Sequence, residues 1–224
     1  MDQMKTGLNQ AILHGLQRQP TKRIVLLASG GVESTASGII LANQGFKIYP
    51  FVINYNQKSA AAELKAVKQL SQGLGFQKPV EYYSNILKLG MVNKDTQIID
   101  DATAWIPARN TLFMVMAGIY AHQIDADGIA IGYCLDDNFV FGDNDRTHHQ
   151  LMQVVLTCSM SRQVDVLMPT ISLHKKDLIK ILQENEVLEQ TVSCWNAQLI
   201  NGHINVCNEC ANCLERNKAI CELE

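Results

Sequence analysis

A serine and two glycines directly after an apolar run are the first residues whose types and spacing suggest chemistry. Residues 23–27 read Arg-Ile-Val-Leu-Leu, and Ala28-Ser29-Gly30-Gly31 follows at once. Adjacent glycines permit positive φ angles and the close approach of a ligand, because neither carries a Cβ atom. The N–H groups of such a turn, together with the start of a helix, form a nest that suits phosphate groups. The segment therefore predicts a phosphate-binding turn between a strand and a helix.

The turn differs from two common phosphate loops. It lacks the lysine of the Walker pattern and the spacing of Gly-x-Gly-x-x-Gly. It resembles the Ser-Gly-Gly-x-Asp-Ser loop of the pyrophosphatase-loop ATPases, which grip the pyrophosphate of ATP and transfer AMP to a substrate oxygen. Glu33 stands where that family usually has aspartate. The resemblance assigns ATP contacts to Ala28, Ser29, Gly30, Gly31, Val32, Glu33, Ser34 and Thr35. It also gives Ser29, Glu33 and Ser34 catalytic roles.

Four of the seven cysteines form a metal-binding pattern. Cys194 is followed, after twelve residues, by Cys207-x-x-Cys210-x-x-Cys213. In a cytosolic chain, close Cys-x-x-Cys spacing favours a metal site over a disulfide framework. Four thiolates satisfy a tetrahedral zinc ion and leave no open position for catalysis, so the predicted role is structural. An iron–sulfur cluster is the alternative. The sequence lacks the proline and the further cysteine spacing that complete the ferredoxin pattern, and their absence favours zinc.

Three further segments carry groups that could meet a ligand. Arg109 precedes a predicted helix that Asn110 is expected to cap, which would place the guanidinium at an anion-binding helix end. An exposed arginine before an ordinary helix explains that segment equally well. The carboxylates of residues 136–146 could hold Mg²⁺ or accept hydrogen bonds from a guanine-like edge. Lys175 can reach a phosphate, although paired lysines also fit a solvated helix face.

The elements that must position these groups alternate between strand-like apolar runs and helical patterns. The predicted strands are 23–28, 47–54, 80–84, 128–133 and 164–168. The predicted helices are 34–44, 59–74, 109–124, 147–160 and 174–185. Right-handed crossovers then give an α/β fold with a doubly wound parallel sheet. The resemblance to the pyrophosphatase-loop ATPases implies that this sheet is Rossmann-like and of the adenine-nucleotide hydrolase type. Ligands of such sheets bind beyond the carboxyl ends of the strands, where the Ser-Gly-Gly turn lies.

The chain divides into three predicted parts. Residues 1–22 form an N-terminal helical extension, residues 23–192 an ATP-binding α/β domain, and residues 193–224 a four-cysteine zinc module packed on the same domain. Outside the cysteine cluster, Cys134 and Cys158 are expected to be small buried apolar residues.

Composition limits the partners. The chain is 47% hydrophobic and carries a formal charge of −3, with 22 acidic and 19 basic residues. Proteins that hold nucleic acid usually present a basic surface, so this balance favours a small-molecule substrate. The sequence shows no apolar stretch long enough to cross a membrane and no secretion signal. A cytoplasmic location is therefore predicted.

Taken together, the motifs resemble the 7-cyano-7-deazaguanine synthases of the queuosine pathway. The shared segments are the loop at 29–34, Tyr-x-Gln at 55–57, Ile-Pro-x-Arg-Asn at 106–110, the acidic loop at 136–146, Leu-x-Lys at 173–175 and the Ser-Cys tail at 193–213. The resemblance covers about residues 23–221. It implies that ATP activates the carboxylate of 7-carboxy-7-deazaguanine, and that ammonia attacks to give an amide and then a nitrile.

The resemblance also assigns roles to residues. Tyr55 and Gln57 would contact ATP, and Lys175 would act in catalysis. Mg²⁺ would neutralise the phosphates, Zn²⁺ would occupy the cysteine cluster, and the protein would form a homodimer. The residues implied to bind the deazapurine are Arg109, Asn110, Asp137, Asp143 and Arg146.

Three departures from the family pattern leave other functions open. The first is Glu33. In the second, residues 56–59 read Asn-Gln-Lys-Ser where the family has Gly-Gln-Arg/Lys-His. In the third, residues 140–146 lack the proline and the cysteine of the family's Ser-Gly-Tyr-Pro-Asp-Cys-Arg loop. The first alternative is a divergent member that couples the deazaguanine to an amine of a partner protein, as in anti-phage systems. A tRNA-modifying enzyme built on the same loop and a non-catalytic nucleotide-binding subunit are the others.

Overall fold

The computed structural model describes residues 19–85, 97–137 and 142–223. The N-terminal helical extension predicted for residues 1–22 lies outside the described residues as far as residue 18.

Five parallel strands form the central sheet, in the order β3-β2-β1-β4-β5. Their bounds are β1 Arg23–Leu27, β2 Lys47–Asn54, β3 Val80–Tyr83, β4 Gly128–Ala130 and β5 Asp165–Leu167. Each observed strand lies within its predicted range, and the parallel topology confirms the predicted fold class.

Helices connect the strands and cover both faces of the sheet. Their bounds are α1 Val32–Asn43, α2 Ala60–Gly73, α3 Asp101–Ala104, α4 Arg109–Gln123, α5 Arg146–Ser159, α6 Lys175–Glu184 and α7 Ala211–Cys221. The ends of the five predicted helices agree with the observed ends to within two residues. No helix of the described ranges is both long and apolar enough to cross a membrane.

The apolar run of β1 is continuous because the strand is buried on both sides. Ile24 and Leu26 pack with Ile48 on the face that α1 covers. Val25 points the other way and packs with Met114 of α4. Side chains of a strand alternate between the two faces, so both faces need apolar residues here.

The sheet order reverses between β1 and β4, which are neighbours although β2 and β3 lie between them in sequence. Ligands of open α/β sheets bind in the crevice at such a point. The segment after β4 passes very close to the start of α1. A Cβ atom on Gly132 would overlap the backbone carbonyl group of Glu33, so this approach needs glycine.

The C-terminal segment forms a small antiparallel hairpin followed by α7. The hairpin strands are β6 Gln198–Ile200 and β7 His203–Asn205. The N–H of Ala211 donates to the carbonyl oxygen of Ile99 at 2.9 Å, which ties α7 to the preceding domain. Three of the four clustered cysteines are buried in the same apolar cluster as α1 and α6.

Of the two cysteines expected to be small core residues, one is buried and one is exposed. Cys134 is buried, as predicted. Cys158 is exposed, so the prediction for that residue was wrong. Helix α5 buries Met152 and Leu156. Cys158 follows Leu156 by two residues and therefore lies on the opposite side of the helix.

We expect Gly128→Ala to destabilise the protein by at least about 2 kcal/mol, because an added Cβ would overlap the backbone of Asp165 in the neighbouring strand. Gly73→Ala is the matched control. Its Cβ would come no closer than 4.0 Å to a neighbouring side chain, and alanine favours the helical conformation. Urea unfolding measures both variants. Equal stability of the two would contradict the close β4–β5 packing.

Candidate functional site

A cleft of about 240 Å³ opens beyond the carboxyl ends of β1, β2 and β4. The turn after β1, the first turn of α4 and residues 192–195 form its walls. Its aromatic and apolar lining includes Phe51, Phe113, Tyr133 and Trp195. The cleft therefore lies at the edge of the sheet where the sequence predicts a ligand.

Gly30 gives the turn its shape. Its φ angle is +75°, which is the conformation that the sequence expected of a glycine here. The carbonyl oxygen of Gly30 accepts a hydrogen bond from the N–H of Val192 at 2.8 Å. Beneath the turn, Ala66 lies 3.0 Å from the position that a Cβ on Gly30 would take. The turn is thus held from both sides.

The predicted ATP-binding residues divide between the cleft and the interior. The residues that line the cleft are Ala28, Ser29, Gly31, Glu33 and Ser34. Helix α1 begins directly after Gly31, so its N-terminal N–H groups belong to this end of the cleft. Gly30, Val32 and Thr35 lie behind it, and Thr35 donates its hydroxyl to the carbonyl oxygen of Gly31 at 2.7 Å. These three residues shape the turn rather than face the cleft.

Glu33 is part of an ion-paired group that crosses to the C-terminal module. The Nζ atom of Lys175 lies 3.0 Å from Oε1 of Glu33 and 3.0 Å from Oε2 of Glu215 on α7. Lys175 is 8% exposed and does not line the cleft. It reaches the turn through Glu33.

Arg109 begins α4 and lines the cleft, as the sequence expected. The expectation that Asn110 caps this helix was wrong. Ala108 adopts a left-handed conformation that turns the chain into the helix, so Asn110 already belongs to the first turn. Its N–H donates to the Asp143 carboxylate at 2.9 Å. Burial lowers the pKa of Arg109, but Tyr55 and the nearby acidic groups outweigh burial and raise it.

Glu63 is a cleft residue that the sequence analysis missed. It lies in the first turn of α2, and its carboxylate accepts hydrogen bonds from Ser59 Oγ at 2.5 Å and Gln57 Nε2 at 2.9 Å. Burial raises the pKa of Glu63, although these two hydrogen bonds oppose the rise. An acidic residue four positions after a serine, just beyond the end of a strand, was the available signal.

Tyr55 and Gln57, for which ATP contacts are predicted, both line the cleft. The Gln57 side chain also has structural partners. Its Oε1 atom accepts a hydrogen bond from the N–H of Tyr55 at 3.0 Å, and its Nε2 atom donates to Ile53 and to Glu63. Gln57 therefore fixes the direction of the Glu63 carboxylate.

Asn110 lines the cleft beside Arg109, whereas Asp143 and Arg146 lie outside its lining. The Asp143 carboxylate accepts from the N-terminal turn of α4, and Arg146 donates to Ser172 Oγ at 3.0 Å. Asp137 ends a one-turn helix at Leu135–Asp137. Its side chain is outside the described part of the structure.

The four clustered cysteines have the geometry of a metal site. Their Sγ atoms all lie within 4.8 Å of one another, and the pairs 194–207 and 210–213 are each 3.5 Å apart. A tetrahedral ion with metal–sulfur bonds of about 2.3 Å needs sulfur atoms roughly 3.8 Å apart. The residues present therefore fit a four-coordinate metal ion.

The backbone around the cysteines favours thiolate at one of them. Burial opposes ionisation of Cys207, but hydrogen bonds from the backbone of Glu209 and Cys210 outweigh it and lower the pKa of the thiol to about 6. Burial raises the pKa of Cys194 to about 11. Ionising all four thiols together would therefore require a metal cation.

We expect Glu63→Gln to stabilise the protein increasingly as pH rises from 4 to 8. The folded-state pKa of Glu63 is raised, so the wild type loses stability as the carboxyl ionises, by about 1.4 kcal/mol per unit of pKa shift. The amide introduced by this substitution can accept from Gln57 and donate to Ser59. Urea unfolding of both proteins at each pH measures the difference. A difference independent of pH would contradict the raised pKa.

Comparison with known families identifies the chain's relatives. A family profile described as "Queuosine biosynthesis protein QueC" matches residues 23–224. The 7-cyano-7-deazaguanine synthase 1 of Desulfitobacterium hafniense (strain Y51) is 30% identical over 215 residues, which cover 88% of this chain and 91% of that protein. The 7-cyano-7-deazaguanine synthase of Methanobrevibacter smithii is 26% identical over 217 residues, covering 89% and 93%.

Solved structures share the fold at low sequence identity. The NMN synthetase from Francisella tularensis has a TM-score of 0.51 and 12% identity, with 98% of this chain and 92% of that chain covered. The U34-tRNA thiolase from Methanococcus maripaludis, solved with its 4Fe-4S cluster, has a TM-score of 0.52 and 14% identity, covering 96% and 70%. These two likenesses support the fold alone. The family match extends from β1 through α7, and on that basis the chain belongs to the QueC family.

Proposed function

We propose that this protein is an ATP-dependent carbon–nitrogen ligase that activates the carboxylate of 7-carboxy-7-deazaguanine for attack by ammonia. Family membership supports the reaction class, since relatives are named 7-cyano-7-deazaguanine synthases. The observation that carries the proposal is that the phosphate-binding turn and Arg109 line the same cleft. A nucleotide and a second anion can therefore meet there.

A carboxylate is a poor electrophile, because its charge repels nucleophiles and oxide is a poor leaving group. ATP supplies AMP as the leaving group. The N–H groups of the turn and of the first turn of α1 stabilise the charge that develops on pyrophosphate. The Arg109 guanidinium binds and orients the substrate carboxylate, which bidentate hydrogen bonding suits. Most of the catalysis is thus alignment of two anions in a cleft with apolar walls.

Among the other predicted residues, Ser29 and Ser34 contribute hydroxyl groups 3.2 Å apart at the phosphate end of the cleft. Glu33 and Lys175 form an ion pair that limits the repulsion between Glu33 and the phosphates. Tyr55 forms a wall of the cleft beside Arg109. Mg²⁺ accompanies ATP and neutralises its phosphate charge.

We assign the four-cysteine cluster to structural zinc. Its donor set leaves no open coordination position, and the sulfur spacing fits a single tetrahedral ion. Cys194 joins this cluster to the cleft, because it lines the cleft and lies two residues after Val192, the hydrogen-bond partner of Gly30. The metal therefore stabilises one wall of the substrate site.

An amine of a partner protein is the main alternative to ammonia as the acceptor of the activated carboxylate. That the protein forms a homodimer and lies in the cytoplasm are separate predictions. The departures at residues 140–146 motivate the alternative acceptor, and residues 140 and 141 lie outside the described structure. Formation of AMP with ammonium present, but without amide or nitrile, would favour it.

We expect the purified protein to release AMP from ATP only when 7-carboxy-7-deazaguanine is present with Mg²⁺, and to form the nitrile when ammonium is added. Arg109→Gln should lower kcat/KM for the carboxylate about a hundredfold, because a charge-assisted hydrogen bond is lost. Lys180→Gln, which changes the same charge on an exposed face of α6, is the control. AMP release and product mass measure the reaction. A wild type that forms no AMP would overturn the proposal.

We expect metal analysis to find about one zinc ion per chain. Cys210→Ser should lose this metal and unfold at lower denaturant concentration, because metal binding contributes directly to folding. Cys221→Ser is the control, since Cys221 is exposed and lies outside the cluster. Iron in place of zinc, or a metal-free wild type, would contradict the assignment.

A further inference from the structure

We propose that Glu63 binds the ammonium ion in the cleft and takes a proton from it, which generates the ammonia that attacks the activated carboxylate. The inference rests on the proposed function and adds a catalytic residue to it. Ammonium is the main form of ammonia at neutral pH, and it has no free electron pair with which to attack. A base near the reacting carbon is therefore needed.

The charges lining the cleft single out Glu63. Two acidic side chains, Glu33 and Glu63, line it among the described residues. Glu33 is ion-paired with Lys175 at 3.0 Å. The hydrogen-bond donors to the Glu63 carboxylate are two neutral groups, Ser59 and Gln57, and the charge of Arg109 also acts on it. A carboxylate has about four acceptor positions, so it can hold a further cationic donor.

The position of Glu63 suits a role at the reacting atoms. Its backbone carbonyl oxygen lies 3.2 Å from the point where a Cβ on Gly30 would be, so the residue begins directly beneath the phosphate-binding turn. The side chain then lines the same cleft as Ser29 and Arg109. The carboxylate is thus near the phosphate end, where the carbon–nitrogen bond must form.

The surroundings of Glu63 favour a small cation and a proton transfer. Tyr55 and Phe113, whose ring centroids are 5.3 Å apart, also line the cleft, and aromatic rings attract ammonium groups. Within the described ranges, the charged or titratable groups that act on Glu63 are Tyr55 from the end of β2 and Arg109 from α4. Burial raises the pKa of Glu63, which makes the carboxylate a better proton acceptor than an exposed one.

Protons and electron pairs balance in this step. Ammonium gives one proton to Glu63 and becomes ammonia, whose lone pair forms the bond to the acyl carbon. The carbon–oxygen bond to AMP breaks, and AMP leaves with that electron pair. The nitrogen then gives one proton to solvent, which leaves a neutral amide. Glu63 returns its own proton to water before the next turnover.

Comparison of Glu63→Gln with the wild type in two assays tests the inference. The first assay is pyrophosphate–ATP exchange that depends on 7-carboxy-7-deazaguanine and needs no amine. The second is amide formation from ammonium at neutral pH. We expect exchange to change less than about threefold and amide formation to fall about a hundredfold, within the range for lost general-base catalysis. Glu184→Gln on an exposed part of α6 is the control, and unfolding curves establish that each variant is folded.

Hydroxylamine sharpens the test, because it is largely unprotonated at neutral pH and needs no base before it attacks. We expect Glu63→Gln to use hydroxylamine almost as well as the wild type does, and its deficit with ammonium to shrink as pH rises toward 9. An equal deficit with both amines would overturn the inference. A KM for 7-carboxy-7-deazaguanine raised tenfold or more in exchange would also overturn it, since Glu63 would then contact the purine. A wild type without exchange would instead overturn the proposed function, and this inference with it.

Discussion

The backbone of Gly30 is the constraint on which the rest of the structure depends. Its positive φ angle turns the chain from β1 into α1 within a few residues, so the helix starts at the edge of the cleft. Ala66 packs beneath it, and Val192 donates a hydrogen bond to its carbonyl oxygen from above. Any side chain at this position would be strained and would also press on α2. Gly30 is therefore the single residue at which three parts of the site meet: the turn after β1, the first turn of α2 and the cleft wall at Val192.

The charges of the site follow from that arrangement. The proposed reaction brings two anions together in one cleft, and it assigns the positive potential that they need to Arg109 and the N-terminal N–H groups of α1. The acidic residues are kept from cancelling it in different ways. Glu33 is ion-paired with Lys175, which it shares with Glu215, whereas the Glu63 carboxylate accepts hydrogen bonds from neutral donors and has a raised pKa. Glu33 has a longer side chain than the aspartate that is usual in the family, and its carboxylate is paired with Lys175.

Much of the fold could be predicted from the sequence, because alternation and apolar periodicity are local properties of the chain. The Ser-Gly-Gly turn and the cysteine cluster could also be predicted, because each motif is formed by residues that lie close together in the sequence. The missed features depend on distant partners. Asp143, whose carboxylate accepts a hydrogen bond from the first turn of α4, lies 33 residues after Asn110 in the sequence. No residue near Asn110 indicates this contact. Glu63 becomes a site residue only because α2 packs against the turn after β1.

The single residue between Val192 and Cys194 sets a limit on how the gene can change. Val192 must reach Gly30 while Cys194 reaches the other three cysteines, so neither insertion nor deletion of a codon fits between them. The turn at Asn201–Gly202 is less constrained, because it joins two short, largely exposed strands and the Gly202 carbonyl oxygen accepts a hydrogen bond from the long, flexible side chain of Lys65. Length variation within the C-terminal module is therefore expected to accumulate at the hairpin, while the stretch from 192 to 194 keeps its length through evolutionary time.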